Sequence, residues 1–473
     1  MKKNAFTLIE LLTVIIIIGL LAVLIIPKVN KTLKDSRQKV NETSTKGLLR
    51  IADNYYLEQK IKGNFQGCEY DFENNINTCE ELEFTGDKPE IGSLNIDKKG
   101  NVGIAVKYDD ICYIKKYHSN EFAEIKNNQM ECNKTAYSTP QVVTSGDGLY
   151  QSQTDEGRLI YRGTNPNNYI TLKENNVDTT YRIISYETDG TIKVIRNDSI
   201  GNIPFDTETN RKNTESGYYC NSQYGCNIWG NQSNTYYKDK TLSELNQDFY
   251  FYYYLTNSSN NLSMKPNNHF GTVTQDSTLN TKLNTEFYET LNFKNKIATH
   301  AFYVGGIYYY AEYFENGYTG GDKGLLKEKQ EEQIYTWKGK IALMNVTEFV
   351  ESSLSSTCTS VYSNYYYNPN NITQDPDNIT QDPEDDSKYI SNYESGKWPC
   401  ALQNWNYKNY SQWFLSAYSY NSGYVWNVRS PGNFGDYGAY NTDFEVRPVL
   451  YLNSDVILSG NGTTSNPYKI ENL

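Results

Sequence analysis

The chain opens on an unbroken apolar run from Phe6 to Ile26, interrupted by one carboxylate, Glu10. At ~1.5 Å per residue a helix of this length reaches roughly 30 Å, enough to cross the hydrocarbon core of a bilayer. Pro27 ends the run. Inside a helix a proline removes one hydrogen bond and kinks the chain. Helical spacing resumes at once, with Val29, Leu33, Val40, Leu48, Ile51 and Tyr55 on one stripe. The pattern predicts a kinked helix that continues over 28–62 and lies against a sheet through its outer half.

The period then changes from helical to alternating. Residues 63–135 read as a small β domain. Within it, GSLNIDKKGNVGIAVKYDDICYIKK holds three short alternating runs, with Lys99-Gly100-Asn101 and Asp109-Asp110 as turns. Residues 136–148 are short and polar with Pro and Gly, and are expected to be a linker. A larger β-rich region, 149–473, follows. It contains one clear hairpin: Tyr181–Tyr186 and Thr191–Ile195 flank Asp189-Gly190, a strong turn signal. The expected fold class is α+β, a long N-terminal helix on an antiparallel sheet followed by a larger β-rich α+β module.

Composition narrows the function. The chain has 473 residues and a net charge of −12, so no phosphate-backbone footprint is present and nucleic acid is disfavoured as a partner. Tyrosine is abundant, with clusters at 249–254, 308–310 and 365–367. Tyrosine supplies rigid amphipathic contact area, but AT-rich coding inflates Asn, Tyr, Ile and Lys together. A tandem repeat, 371–376 and 378–383, followed by Glu384-Asp385-Asp386, is dense in oxygen ligands that could hold calcium; it lacks the glycine and terminal glutamate of an EF-hand loop, and an exposed variable loop is the better reading.

Eight cysteines fall in sequence-close pairs: Cys68 with Cys79, Cys112 with Cys132, Cys220 with Cys226, and Cys358 with Cys400. Eight cysteines allow 105 connectivities, of which this is the nearest-neighbour one. No C-x-x-C spacing occurs and only three histidines exist, His118, His269 and His300. Disulfides in an oxidising compartment are therefore favoured over a metal site. No metal or cofactor is expected. G-x-S-x-G, P-loop, H-E-x-x-H and G-x-G-x-x-G signatures are missing, so no catalytic set is expected.

Glu10 needs a reason. A carboxylate inside a membrane span costs on the order of 2.5–3.5 kcal/mol on insertion scales. Ala5, the run Phe6-Thr7-Leu8-Ile9-Glu10-Leu11-Leu12 and Pro27 resemble the N-terminus of type IV prepilins and pseudopilins. The resemblance implies a leader, residues 1–5, removed by a prepilin peptidase between Ala5 and Phe6, with methylation of the new Phe6 amine. It also implies that Glu10 faces that amine on a neighbouring subunit, since two buried charges are costly alone and pairing them sets the register. Pro27 would mark where the helix bends or melts in a filament. The family usually has Gly before the cut; Ala5 is small enough to be tolerated, with slower cleavage expected. A secretory signal is a poor fit, because Leu24-Ile25-Ile26-Pro27-Lys28 offers no A-x-A-like site.

The expected organisation is thus a leader over 1–5, a transmembrane and assembly helix over 6–27, a pilin-like helix and β head over 28–135, a linker over 136–148, and an extracellular module over 149–473. A helix followed by an antiparallel meander is what a pilin head looks like, and Cys112 with Cys132 would tie its C-terminal end. The pieces Trp426–Gly432, Val446–Leu452 and Gly339–Met344 resemble an extracellular module found behind prepilin-like segments in Gram-positive bacteria. They are also similar to C-type-lectin-like and formylglycine-enzyme-like folds, a likeness that implies a buried tryptophan and arginines in ion pairs and no catalytic set. The implied protein is a non-enzymatic, single-pass subunit with a short cytoplasmic N-terminus, anchored through residues 6–26. Its partners would be other pilin subunits and an extracellular protein or glycan. A pseudopilus of a secretion or DNA-uptake machine shares this chemistry. A membrane-anchored surface receptor or adhesin outside any filament is the alternative.

Overall fold

The computed structural model describes residues 8–63, 65–74, 76–80, 82–84, 87–117, 119, 122–125, 132, 141–207, 210, 226–230, 233–234, 276–307, 313–314, 317–318, 324–364, 398–418 and 423–473. The class is mixed α+β, a long N-terminal helix with several antiparallel sheets. The chain divides into two compact units, Met1–Ser138 and Thr139–Leu473.

In the first unit, helix α1 runs Leu8–Lys62 and is continuous through Pro27. Its 55 residues make it roughly 80 Å long at ~1.5 Å per residue. A five-stranded antiparallel sheet follows in sequential order: β1 (Cys68–Asp71), β2 (Ile91–Ile96), β3 (Val102–Tyr108), β4 (Ile111–Lys115) and β5 (Ala123–Ile125). The three alternating runs of the sequence are β2, β3 and β4. Asp97 shapes the first turn, accepting from the backbone of Lys99 and Asn101. Gly92 permits the closest strand approach: at φ 125° a Cβ there would stand 2.2 Å from the Ala105 carbonyl oxygen.

The helix packs on this sheet over a shorter length than its apolar stripe predicts. Thr45, Leu48, Ala52 and Tyr55 are buried, at spacings of three and four, and the last three join Leu94, Ile104, Val106 and Tyr113 in one core. Val29, Leu33 and Val40, expected on the same stripe, stay exposed. The reason is reach. The contacts nearest the N-terminus are Gln38, bonded to Glu124 and to the Tyr113 hydroxyl, and Asn41, which donates to Asp109. Val40 lies between these two and points away from the sheet.

The second unit is built around a seven-stranded sheet. Its strands in chain order are β6 (Gly148–Gln151), β7 (Leu159–Arg162), β8 (Tyr169–Glu174), β9 (Val177–Tyr186) and β10 (Ile192–Arg196). Then come β11 (Ser233–Asn234), β12 (His300–Tyr303), β13 (Gly306–Ile307), helix α2 (Leu325–Gln333), β14 (Tyr335–Gly339), β15 (Ile341–Ala342) and helix α3 (Val346–Glu351). The chain closes through β16 (Gln412–Tyr418), β17 (Tyr424–Val428), β18 (Phe434–Gly438) and β19 (Val449–Leu452). The main sheet runs β15-β19-β10-β9-β7-β6, with β8 also on β9. The predicted hairpin is β9–β10, with Ile192 opposite Tyr186. A four-stranded sheet, β13-β16-β17-β18, holds its only parallel contact at β13–β16.

Residues 141–148, expected within a linker, make contacts of their own. Val142 bridges Leu149, and the Asp147 carboxylate accepts from the backbone of Thr164 and Asn165. The tail pieces are built as expected in part. Trp426 is buried and donates to the Ile307 carbonyl at 3.1 Å. Arg429 and Arg447, however, form no ion pairs among the described residues. Arg429 donates to the Asn427 side chain and the Asp436 carbonyl, and Arg447 to the carbonyls of Arg196 and Asn406. Backbone carbonyls were the acceptors in reach once the strands had closed, and sequence spacing does not reveal them.

Candidate functional site

The first candidate is the N-terminal part of α1. Between Leu8 and Ile26 every described side chain is exposed, from Val14 at 46% to Leu8 at 85%. Among the described residues one helix is long and apolar enough to cross a membrane, with a mean hydropathy of 2.8 in its most apolar window. Glu10 is the third residue of the helix and Pro27 lies inside it. Ala5 and Phe6, the predicted processing residues, lie outside the described residues. An exposed apolar surface of this extent is driven out of water by the hydrophobic effect and marks a site of contact with an apolar environment.

The cysteines assemble in nearest-neighbour pairs where they are described. Cys68–Cys79, Cys112–Cys132 and Cys358–Cys400 are bonded, with Cα separations of 4.9, 5.7 and 4.9 Å. Cys226 is also disulfide-bonded. Cys220 lies outside the described residues, as do the tyrosine clusters and the tandem repeat.

A second feature carries no sequence motif. Arg158, just before β7, Lys193 on β10, and Glu348 and Glu351 on α3 form an ionic centre buried beneath the main sheet of the second unit. Asn345 caps α3, and Glu348 three residues on completes a capping box by accepting from the Asn345 amide at 3.2 Å. The same carboxylate accepts from Lys193 Nζ at 2.6 and 2.7 Å and from Arg158 Nη2 at 2.7 Å. Arg158 also reaches Glu187 at 3.1 Å and Glu351 at 3.4 Å. Glu351 in turn accepts from the Gln153 amide and the Ser152 hydroxyl. On the far side Glu332 of α2 accepts from Ser416 and Thr347, with Lys329 at 3.9 Å.

Two carboxyls of this centre are driven in opposite directions. Burial pushes Glu348 up, but Lys193, Lys329 and Arg158 outweigh it and hold the carboxyl well below its ordinary value. At Glu332 burial wins over Lys329 and the two hydroxyl donors, and the value rises. Burial also lowers the Lys193 ammonium, against the pull of Glu348. The centre ties α2 and α3 to β7, β9 and β10, so its evident work is positional. The one local sign in the sequence is Lys193 within the buried part of the strand Ile192–Arg196, flanked by Ile192, Val194 and Ile195, where a charge is not admitted unpaired.

Among the described residues no group of three or more His, Cys, Asp or Glu is placed to hold a metal ion. No family model, no curated protein and no solved structure matches the chain.

Proposed function

We propose that this chain is a non-enzymatic type IV pilin-like subunit, processed by a prepilin peptidase and assembled through α1 into a surface filament or pseudopilus. Its second unit would be displayed outside the cell for adhesion or partner binding. The observation that carries the reading is the division of α1. Between Leu8 and Ile26 the apolar side chains that are described face outward, whereas Thr45, Leu48, Ala52 and Tyr55 are buried. One continuous helix is therefore buried by its own chain at one end only. The other end calls for a bilayer before assembly and for neighbouring helices after it. Glu10 within the apolar stretch favours assembly over a plain tether, because a tether gains nothing from a carboxylate that costs on the order of 2.5–3.5 kcal/mol in lipid. The disulfides fit an oxidising exterior.

The test is mass spectrometry of the mature N-terminus of surface-sheared protein. A chain beginning at Phe6 and one methyl group heavier is the expected result. A chain still beginning at Met1 and found only in membranes would overturn the filament reading and leave an anchored surface receptor.

A further inference from the structure

The second unit also holds a set of cations that, among the described residues, have no carboxylate partner. Arg447, just before β19, is 3% exposed. Its Nε donates to the Arg196 carbonyl at 3.0 Å and its Nη1 to the Asn406 carbonyl at 2.8 Å. Its Nη2 has no hydrogen-bond partner, and neither has the buried hydroxyl of Tyr410. Arg182 of β9, 2% exposed, donates to the Asn168 side chain and the Pro166 carbonyl. Its guanidinium lies 3.7 Å from the Tyr169 ring and 4.8 Å from the Trp405 ring. Lys408, on the loop from Trp405 to Tyr410, donates to the Asn197 side chain at 2.7 Å.

These groups share one place. The 405–410 loop covers the end of the β9–β10 pair: Trp405 over Arg182, Asn406 on Arg447, Lys408 on Asn197. Each cation is met only by neutral acceptors. Their charges act on one another: burial first, then Arg447 and Arg182, pull the Lys408 ammonium down to about 8. Burial likewise brings Arg447 to about 10. Two acidic groups act on this place, Asp198 on Lys408, Arg447 and Tyr410, and Glu445 on Tyr410; among the described residues neither forms an ion pair with Lys408 or Arg447. Elsewhere in this unit buried cations are neutralised, as Arg158 is by Glu348 and Glu351. A buried guanidinium with a free N–H and no counter-charge is costly, and such groups in native proteins are explained by a bound ion or water.

We propose that Arg447, Lys408 and Tyr410 form a binding site for a small free oxyanion of the sulfate or phosphate class, with Arg182 reinforcing its positive field. The Arg447 Nη2–H, the Tyr410 hydroxyl and the two remaining Lys408 N–H bonds are the donors, and the half-buried Lys408 side chain is the one on the solvent side, where the ion enters. Enclosure selects the ligand: a free tetrahedral ion reaches the Arg447 nitrogen, whereas an anionic group carried on a polymer does not. The site is independent of the assembly reading.

The experiment is a titration of the full-length protein in detergent micelles with sodium phosphate, against sodium chloride at matched ionic strength, read as the melting temperature of the tryptophan fluorescence. The expected result is a saturable rise with phosphate only. Lys408→Gln and Tyr410→Phe each shift the midpoint of that rise to higher phosphate, about tenfold for a lost charge-assisted donor. A non-saturable rise that is the same in wild type and both variants is the general effect of an excluded salt and would overturn the proposal. So would identical curves in phosphate and chloride, which would assign the cluster to structure alone.

Discussion

Lys193 and Glu348 meet in a buried bidentate pair: the ammonium donates to both carboxylate oxygens, at 2.6 and 2.7 Å, across 155 residues of chain. The pair fastens strand β10 to helix α3, and Arg158 adds β7 to the same carboxylate. Removing Glu348 strips Lys193 of its bonded carboxylate and takes one of several from Arg158, which keeps Glu187 and Glu351, so Glu348→Ala is expected to destabilise the second unit by about 3–5 kcal/mol. Lys193→Met should cost less, because Glu348 keeps Arg158 and the capping-box amide. Denaturant unfolding of the full chain in detergent measures both. Equal losses in the two variants would show that the pair, not the shared carboxylate, is the unit of stability.

The opposed carboxyls predict a pH profile with two separate windows. Glu348 is held below its ordinary value of 4.5. Its contribution is present above about 4.5 and is lost as the pH falls below it. Glu332 is raised. Its contribution is complete below about 4.5 and is lost as the pH rises through the raised value. Glu348→Gln should flatten the acid limb of the stability profile, and Glu332→Gln the limb above it. Melting temperatures of both variants between about pH 3 and pH 8 decide; a change in the same limb for both would refute the assignment.

The contact length of α1 is open to a simple mutational comparison. Leu48 is 3% exposed and Leu33 57%. Leu48→Ala should destabilise the first unit by about 2–5 kcal/mol, the range for buried leucines, while Leu33→Ala leaves it within about 0.5 kcal/mol of wild type. An equal loss for Leu33→Ala would mean that the exposed stripe has a partner within the chain.

For assembly, Glu10→Ala is expected to abolish incorporation into filaments while leaving the protein in the membrane. Fractionation of sheared surface material against membranes separates the two. Normal incorporation of the alanine variant would remove the charge-pairing account of register.

Local features were legible in the sequence wherever the signal was local. The alternating runs became β2, β3 and β4, Asp189-Gly190 turned the β9–β10 hairpin, and the described cysteines bonded to near neighbours. Each depends on residues a few positions apart, or, for a disulfide, on a short closed loop. The apolar stripe of α1 was misjudged at Val29, Leu33 and Val40, because periodicity reports which face of a helix is apolar and not how far along it a partner extends.

The amino-acid order by itself determined the apolar helix, its single carboxylate, the meander and the hairpin, because propensity, period and turn chemistry act over neighbouring residues. Only the tertiary structure decided which charges are buried and what they meet. Arg158, Lys193 and Glu348 come from segments far apart in sequence, and Arg447 from another. A charge becomes costly or stabilising only once water has been excluded around it, and that exclusion is a property of the closed core, not of any stretch of chain.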